Sequence, residues 1–345
     1  MSELILQTSG KAYGGWKSIN VHLGMEEASS TFDIGLTEIW PEQKTEREII
    51  SGEECTIKIA GETAITGYTD AVSVSYDNSS HSINVRGRDK TADLIDCSAI
   101  YKTGEWRNVK LEQIAKDLCA PFGIKVIVET DTGDKFKVWV TEPGETVFAC
   151  IDRAAKHRGV LLTTDGTGTL IITRASKKSL GITLERGINI LSANAQVTAD
   201  QRFSQYIVKG QAAGDDSTNG EAVTSQKASS KDAGVKRYRP LIIISEDQGD
   251  ISSFKKRAEF EANIRSGRAR TASITVQGFT HAKGLWRPNQ LVTVRDPWLK
   301  LNRDMLISEV DLSLDDSGSR SVLNLALPEA YSLLPVPEKK QGSFL

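Results

Sequence analysis

Apolar and polar residues alternate through most of the first 97 positions. Ser18-Ile19-Asn20-Val21-His22-Leu23, Thr31 to Leu36, Cys55 to Ile59, Ala71 to Tyr76 and Ser82 to Val85 read as strands separated by Gly, Asp and Asn clusters. That spacing suits a small barrel or sandwich. A helical period first shows at Asp89-Lys90-Thr91-Ala92-Asp93-Leu94-Ile95, an N-capped helical turn that closes the unit.

Between 98 and 182 the pattern changes. Leu111, Ile114, Ala115, Leu118 and Cys119 share one helical face, with Asn108 available as a cap and Pro121 and Gly123 as the stop. Strands are expected at Ile124 to Val128 and Lys135 to Val140, then a helix from about Glu145 to Arg158 carrying Val147, Ile151, Ala154 and Ala155 inward and ending at Gly159. Val160 to Thr164 and Thr169 to Thr173 flank Asp165-Gly166-Thr167-Gly168 as a hairpin. This is a small α+β unit.

Strands return beyond Gly187, at Ile188 to Val197 and Gln205 to Gly210. Gln211 to Val235, rich in Ala, Gly, Ser, Asp and Lys, reads as a mobile loop. Leu241 to Ile244 is a short strand. Ser252 or Ser253 can cap a helix to about Ser266, with Phe254, Ala258 and Ala262 on one face and Gly267 ending it. Strands resume at Ala272 and run to Leu327, and the tail after Tyr331 is expected to be loose.

Two distant segments share one plan: ITGYTDAVSVSYDNSSHSINVRG from Ile65 to Gly87, and LISEVDLSLDDSGSRSVLNLA from Leu306 to Ala326. Each is a strand, a serine-rich turn opening on Asp-Asn or Asp-Asp, and a returning strand with Ile83-Asn84-Val85 or Leu323-Asn324-Leu325. Each follows a further strand, Cys55 to Ile59 or Gln290 to Val294. Any two half-buried hairpins alternate alike, so the pattern alone does not prove kinship. The sharper reading is one β-domain occurring twice with the α+β unit inserted between the copies. Three such chains would then present six similar barrels.

Composition narrows the function classes. With 345 residues, several domains are the default. A net charge of −2 gives no general basic field for nucleic acid or anionic lipid. Apolar runs such as Leu241 to Ile244 fall far short of the roughly 20 residues a membrane span needs. The opening MSELILQTSGKAYGG lacks a basic region leading into an apolar one, so synthesis is expected to end in the cytosol. Cys55, Cys97, Cys119 and Cys150, widely spaced and without nearby histidine, read as reduced, buried, small hydrophobes.

Candidate chemistry is sparse. Asp165-Gly166-Thr167-Gly168-Thr169 leads into a strand, so it offers no helix N-terminus to a phosphate. His22, His81, His157 and His281 fall in four different elements, and there is no G-x-S-x-G elbow. Glu142 and Glu145, with Asp131 and Asp134 nearby, have the residue types of a glycosidase pair, but read more simply as a turn and a helix start. No catalytic residue, metal ligand or cofactor is expected.

Lys236-Arg237-Tyr238-Arg239, Lys255-Lys256-Arg257 and Arg265, Arg268 and Arg270 form a basic cluster suited to an acidic partner or DNA, with Arg257 and Glu261 spaced for a helical ion pair. Residues 1–54 carry ten acidic and four basic residues and 251–270 six basic and two acidic. An acidic N-terminal surface could thus face the basic surface of an adjacent protomer. Tryptophans beside prolines, Trp40-Pro41, Trp286-Arg287-Pro288 and Pro297-Trp298, can anchor an interface or fill a core. The repeat places the segments of Trp286 and Trp298 at the rim of the second barrel. The expected interface set is therefore Trp286, Trp298, Arg257, Arg265, Arg268 and Arg270.

Across almost the whole chain the sequence resembles the baseplate hub family of contractile phage tails, the Mu-like 43 kDa tail proteins. The resemblance runs through VRGRDKTADLIDCSA (Val85 to Ala99), LEQIAKDLCAPFGI (Leu111 to Ile124), ETVFACIDRAAKHRGVLLTTDGTGTLIITR (Glu145 to Arg174), RFSQYIVKGQ (Arg202 to Gln211) and GLWRPNQLVTVRDPWL (Gly284 to Leu299). These are fold motifs, not catalytic fingerprints. The resemblance implies an α+β, mostly β fold with two similar small tube-like β-barrels, an inserted α+β domain and a peripheral loop and helix region. The boundaries expected are 1–97 for the first barrel, 98–182 for the α+β domain, 183–213 with 268–330 for the second barrel, 214–267 for the peripheral insertion and 331–345 for the tail. It further implies a homotrimer in the virion baseplate, assembled in the bacterial host cytoplasm. Its partners would be the tail tube protein, the spike protein and other baseplate proteins, with DNA passing only transiently through the channel. The rival readings are a cell-wall-degrading tail protein, a peptidoglycan hydrolase, and a nucleic-acid-binding ring.

Overall fold

The computed structural model describes residues 4–37, 49–78, 81–210, 226–244 and 251–334. Seven strands build the N-terminal unit: β1 (Leu4–Thr8), β2 (Lys11–Tyr13), β3 (Ser18–Gly24), β4 (Thr31–Thr37), β5 (Glu54–Ile59), β6 (Glu62–Tyr76) and β7 (His81–Asp89). Alternation sends Val21, Leu23, Phe32, Ile34, Ile83 and Val85 into one core, where all are buried. Asn20, His22, Asp33 and Asn84, between them in sequence, take the opposite face. Trp40 lies outside the described residues.

The α+β unit follows as α1 (Ala92–Asp96), β8 (Glu105–Val109), α2 (Leu111–Cys119), β9 (Lys125–Val128), β10 (Phe136–Val140), α3 (Val147–Arg158), β11 (Leu161–Thr164) and β12 (Thr169–Thr173). The apolar faces of α2 and α3 share a core with Phe136 and Trp139. Asn108 does not cap α2: it sits in β8 at φ 55°, and Lys110 holds the cap position without a side-chain bond. The hydroxyl of Thr146 caps α3, accepting from Ala149 N at 3.2 Å, and left-handed Gly159 ends it. Three cysteines are buried as expected, but Cys97 is exposed just past α1.

The C-terminal half opens with β13 (Ser179–Glu185) and β14 (Ser192–Val197), then leaves for a peripheral unit of β15 (Gln205–Gly210), β16 (Gln226–Lys231), β17 (Pro240–Ile244) and α4 (Ile251–Arg268). Three expectations are corrected there. Gln205 to Gly210 does not belong to the second β unit; it is the middle strand between β16 and β17, with Tyr206 and Val208 packed on Phe254, Ala258 and Ala262 of α4. Part of the expected loop, Gln226 to Lys231, is a strand; residues 211–225 lie outside the described residues. Nor does Gly267 end the helix. α4 runs through it, and the glycine makes room for the chain crossing there at Ala330, whose N would lie 2.5 Å from a Cβ on residue 267.

The chain then returns as β18 (Arg270–Gln277), the short hairpin β19 (Thr280–His281) and β20 (Gly284–Leu285), β21 (Leu291–Asp296), β22 (Leu301–Asp315) and β23 (Gly318–Ala326). The strand order of the C-terminal unit is β14-β18-β23-β22-β21-β13, and that of the N-terminal unit is β3-β4-β7-β6-β5-β1. The two orders correspond strand for strand. Ile34 faces Val85, which faces Val72; Ile274 faces Leu323, which faces Val310. Each long hairpin carries a bulge at the matching point, Asp70 in β6 and Ser308 in β22. One pairing differs: β1 runs antiparallel to β5, whereas β13 runs parallel to β21. The duplicated unit is therefore a feature of the fold, and the peripheral unit is an insertion between the counterparts of β3 and β4. Both copies lie in one sheet whose path, among the described residues, is open at both ends.

Candidate functional site

Among the described residues one strand pair joins the two copies into a single sheet. The second half of β22 lies antiparallel to β3, with Val310 opposite Leu23, Leu312 opposite Val21 and Leu314 opposite Ile19. Leu23, Val21, Val310 and Leu312 are all buried, so the apolar side of this joint continues the core of both copies. On the polar side Asp311 faces His22. Nδ1 of His22 is 2.5 Å from Asp311 Oδ1, and Nε2 is 3.0 Å from Glu27 Oε2. The hydrogen bond to Asp311, reinforced by the neighbouring carboxylates, raises the His22 pKa to about 9 against the opposing effect of burial.

The polar face carries twin grooves. One, of about 360 Å³, is lined by Asn20, His22, Thr31, Asp33, Asp70 and Arg86. The other, of about 350 Å³, is lined by Asn194, Gln196, Thr271, Ser273, Ser308 and Asn324. These are the same positions of the repeat, residue for residue. The first groove is charged and the second almost neutral.

At the outer ends of the two-copy sheet, strand edges remain unpaired among the described residues. β5 covers only Glu62 to Tyr68 of β6, which leaves the edge from Ala71 to Tyr76 open. β14 pairs with β18 on one side alone. Val74 and Val197 are 68% and 62% exposed, although their counterparts Leu312 and Leu23 in the joint are buried; Tyr76 is 82% exposed, where its counterpart Leu314 is half-buried.

The α+β unit is fastened to both copies. Arg287 donates to Asp165 O at 2.8 Å and to Thr63 O at 2.7 Å, bridging the tip of the β11–β12 hairpin and the N-terminal copy. The glycine-rich turn is part of this contact: Thr66 N donates to Gly166 O, and a Cβ on Gly166 would stand 2.4 Å from Ala64 O. Asp89 is fully buried and accepts from Ser29 Oγ, Ser30 N, Thr91 N, Thr91 Oγ and Thr164 Oγ. Its Thr164 bond reaches from the N-terminal copy into the α+β unit.

Among the expected interface residues the structure distinguishes sharply. Trp286 is corrected: it is 3% exposed, because it packs into the main core with its ring against His281 at 4.4 Å. Trp298 is 78% exposed beside Arg186. Arg257 and Arg265 both clamp Glu261, at 3.0 and 3.1 Å, and Arg265 also lies over Phe203. Arg268 reaches Ala330 O and, at 4.0 Å, Glu26 of the same chain. Arg270 is half-buried at the start of β18, opposite Val197. Within the basic cluster, Arg239, Arg257, Arg265 and Arg268 are engaged within the chain, whereas Lys236, Arg237, Lys255 and Lys256 are exposed and Tyr238 is 86% exposed.

Of the carboxylates considered for acid–base work, Asp131, Glu142 and Glu145 are engaged. Glu145 is bound by Arg153 at 2.9 Å, which holds its carboxyl below the usual range despite burial, and Asp131 accepts from Gly133 N. Among the described residues no cluster of His, Cys, Asp or Glu has the grouping of a metal site, and no helix is long and apolar enough to cross a membrane.

The comparisons with known proteins agree with this architecture. Residues 3–89 match the N-terminal domain of Mu phage baseplate assembly protein GpP-like proteins, and 91–174 the second domain of baseplate hub protein gp44-like proteins. Residues 202–259 match the third domain of tail protein NMB1110-like proteins, and 251–334 the fourth domain of GpP. Baseplate hub protein gp44 of Escherichia phage Mu is 34% identical over 98% of this chain and 90% of its own. The prophage MuSo2 43 kDa tail protein from Shewanella oneidensis has 39% identity and a TM-score of 0.85, covering 96% of this chain and 100% of the other. The tail protein from Neisseria meningitidis MC58 shares the fold, with 22% identity and a TM-score of 0.78 over 96% and 99% of the two chains. With its duplicated β unit, its inserted α+β unit and a full-length relative in phage Mu, the chain belongs to the gp44-like family of phage baseplate hub proteins.

Proposed function

We propose that three copies of this chain form a pseudo-sixfold ring that adapts a hexameric tail tube to a trimeric spike, with a channel through which DNA passes. The observation that carries this reading is the strand-for-strand correspondence between the two copies. Three chains then offer six near-equivalent β units to a sixfold neighbour, whereas everything outside the repeat occurs three times. The turn holding Trp298 is such a feature, since its counterpart between β5 and β6 is only Ala60-Gly61. Trp298 and the other non-repeated elements suit a threefold partner.

In this reading the uncovered polar face of the sheet lines the channel. Its Asp33, Glu309 and Asp311 face DNA with like charge, and Arg86 and His22 stand beside carboxylates. A basic lining would hold DNA by counterion release; this one lets it slide. The ring works by geometry, and assembly belongs in the bacterial host cytoplasm before the particle is released.

Light scattering tests the reading: single chains of 37.7 kDa should give particles of three chains, alone or on addition of the tube and spike proteins of the same particle. Chains that stay monomeric with both partners present would overturn it.

A further inference from the structure

The joint between the copies inside one chain has the form of a strand edge meeting a strand edge, and the same two edges are left open at the ends of the sheet. In the repeat, Ala71 to Tyr76 of β6 corresponds to Glu309 to Leu314 of β22, because Val72 faces Val85 as Val310 faces Leu323. Likewise Ala193 to Val197 of β14 corresponds to Ile19 to Leu23 of β3, because Ala193 faces Ile274 as Ile19 faces Ile34. Inside the chain β22 and β3 are hydrogen-bonded to each other; β6 and β14 lack that partner among the described residues.

We infer that the open edge of β6 in one copy of the chain pairs antiparallel with the open edge of β14 in the next, in the register of the internal β22–β3 joint. The inference rests on the ring reading above and fixes its contact residue by residue. Transferring the register puts Val72 opposite Val197, Ser73 opposite Gln196, Val74 opposite Ala195, Ser75 opposite Asn194 and Tyr76 opposite Ala193, each β14 residue belonging to the neighbouring copy.

Three features of the edges fit this occupant. Val74, Tyr76 and Val197 are exposed apolar residues on long strand edges, which bear none of the charges or prolines that normally blunt such edges. The transferred register sets all three on one side, where it extends the apolar core, and sets Ser73, Ser75, Asn194 and Gln196 on the other, where it extends the polar face. The contact is also heterologous, edge β6 to edge β14. It therefore leaves the same two edges free at the ends of any open chain of copies and none free in a closed ring.

Cysteine pairing reads the register. In a Cys97→Ser background, Ser73→Cys with Gln196→Cys sets two thiols directly opposite each other, within disulfide reach, while Ser75→Cys with Gln196→Cys is one diagonal away, beyond the usual Cα span of about 7 Å. The expected result on mild oxidation is covalent multimers ending at three chains for the first pair, at least about fivefold more than for the offset pair. His22→Cys with Asp311→Cys, opposite residues of the internal joint, is the control that this geometry crosslinks. As a second reading, Val74→Glu is exposed in the single chain, so its melting curve should be unchanged while assembly weakens by at least about tenfold, because pairing would bury its charge. Particles of three chains that crosslink equally through both pairs, or through neither, overturn the joint and leave the ring. Chains that neither crosslink nor reach three-chain mass overturn both.

Discussion

Nδ1 of His22 lies 2.5 Å from Oδ1 of Asp311, and these two residues face each other across the β22–β3 strand pair that joins the duplicated β units. The histidine is thus charged at neutral pH, with a pKa of about 9 against 6.5 for an unperturbed ring. A group whose pKa is raised by folding adds stability that is complete below the unfolded value and lost as pH rises through the folded one. Thermal stability should therefore decline between pH 6.5 and about 9, and a ring-proton titration by NMR should give a midpoint near the upper figure. The matching position in the second copy is Gln196, which makes His22→Gln the natural control. It should fold and lose that slope. Asp311→Ala should cost about 1–2 kcal/mol near pH 7, the low end for a charge-assisted bond because the pair is partly exposed. A slope that survives His22→Gln would assign it to another group.

Asp89 supplies the acceptor for five donors drawn from three places in the sequence. Asparagine keeps one acceptor oxygen and aims an N–H₂ at hydroxyl groups already donating. Asp89→Asn should destabilise by at least about 3 kcal/mol, since two or more buried donors lose partners at about 1–3 kcal/mol each. Thr164→Val removes the bond to Asp89 and also the acceptor of Gly166 N, 3.0 Å away, and should cost about 2 kcal/mol. Denaturant unfolding gives both values. Hydrogen exchange after Thr164→Val should quicken in the β11–β12 hairpin before it quickens in β7, and uniform exchange would deny the carboxylate its role as a fastening between the units.

In most exposed helices replacing glycine by alanine gains about 1 kcal/mol. At Gly267 the sign should reverse. A Cβ there would stand 2.5 Å from Ala330 N and 2.9 Å from Ala330 Cα, and these are backbone atoms that cannot rotate away. Overpacking of this kind costs about 1–3 kcal/mol, so Gly267→Ala should lower the unfolding midpoint and loosen the Pro328–Tyr331 turn. A rise would mean that the turn gives way freely.

What could be read from sequence divides along the range of the interaction. Alternation along Ile65 to Gly87 and Leu306 to Ala326 exposed the repeat because a half-buried strand writes its face into every second residue. The same rule misplaced Gln205 to Gly210, since alternation says that one face is covered and not which element covers it; α4 decides that, and it follows some 40 residues later. Gly267 read as a helix stop because close approach by Ala330 leaves no local trace. Trp286 and Trp298 are chemically equal beside their prolines, and only tertiary packing, with Trp286 in the main core against His281, separates a buried ring from an exposed one. The joint itself was invisible: His22 and Asp311 lie 289 positions apart, and each of their strands alternates as well alone as together.

Trp298 provides the test of how a threefold feature is laid on a sixfold plan. Its turn, Pro297 to Lys300, is held from within, since Trp298 N and Leu299 N both donate to Asp296 Oδ1, at 2.9 and 3.1 Å. The indole meanwhile projects outward at 78% exposure with Arg186 beside it. Removing the ring should therefore leave the fold untouched, within about 0.5 kcal/mol. If Trp298 instead anchors a threefold partner, truncation removes a large aromatic contact, and Trp298→Ala should weaken spike binding by at least about 2 kcal/mol, roughly thirtyfold. Tube binding, which depends on the repeated surface, should be unaffected. Isothermal titration of each partner against the three-chain particle separates the cases: equal losses for both partners would mean that the turn perturbs the ring as a whole, and no loss for either would leave the exposed indole without a role in assembly.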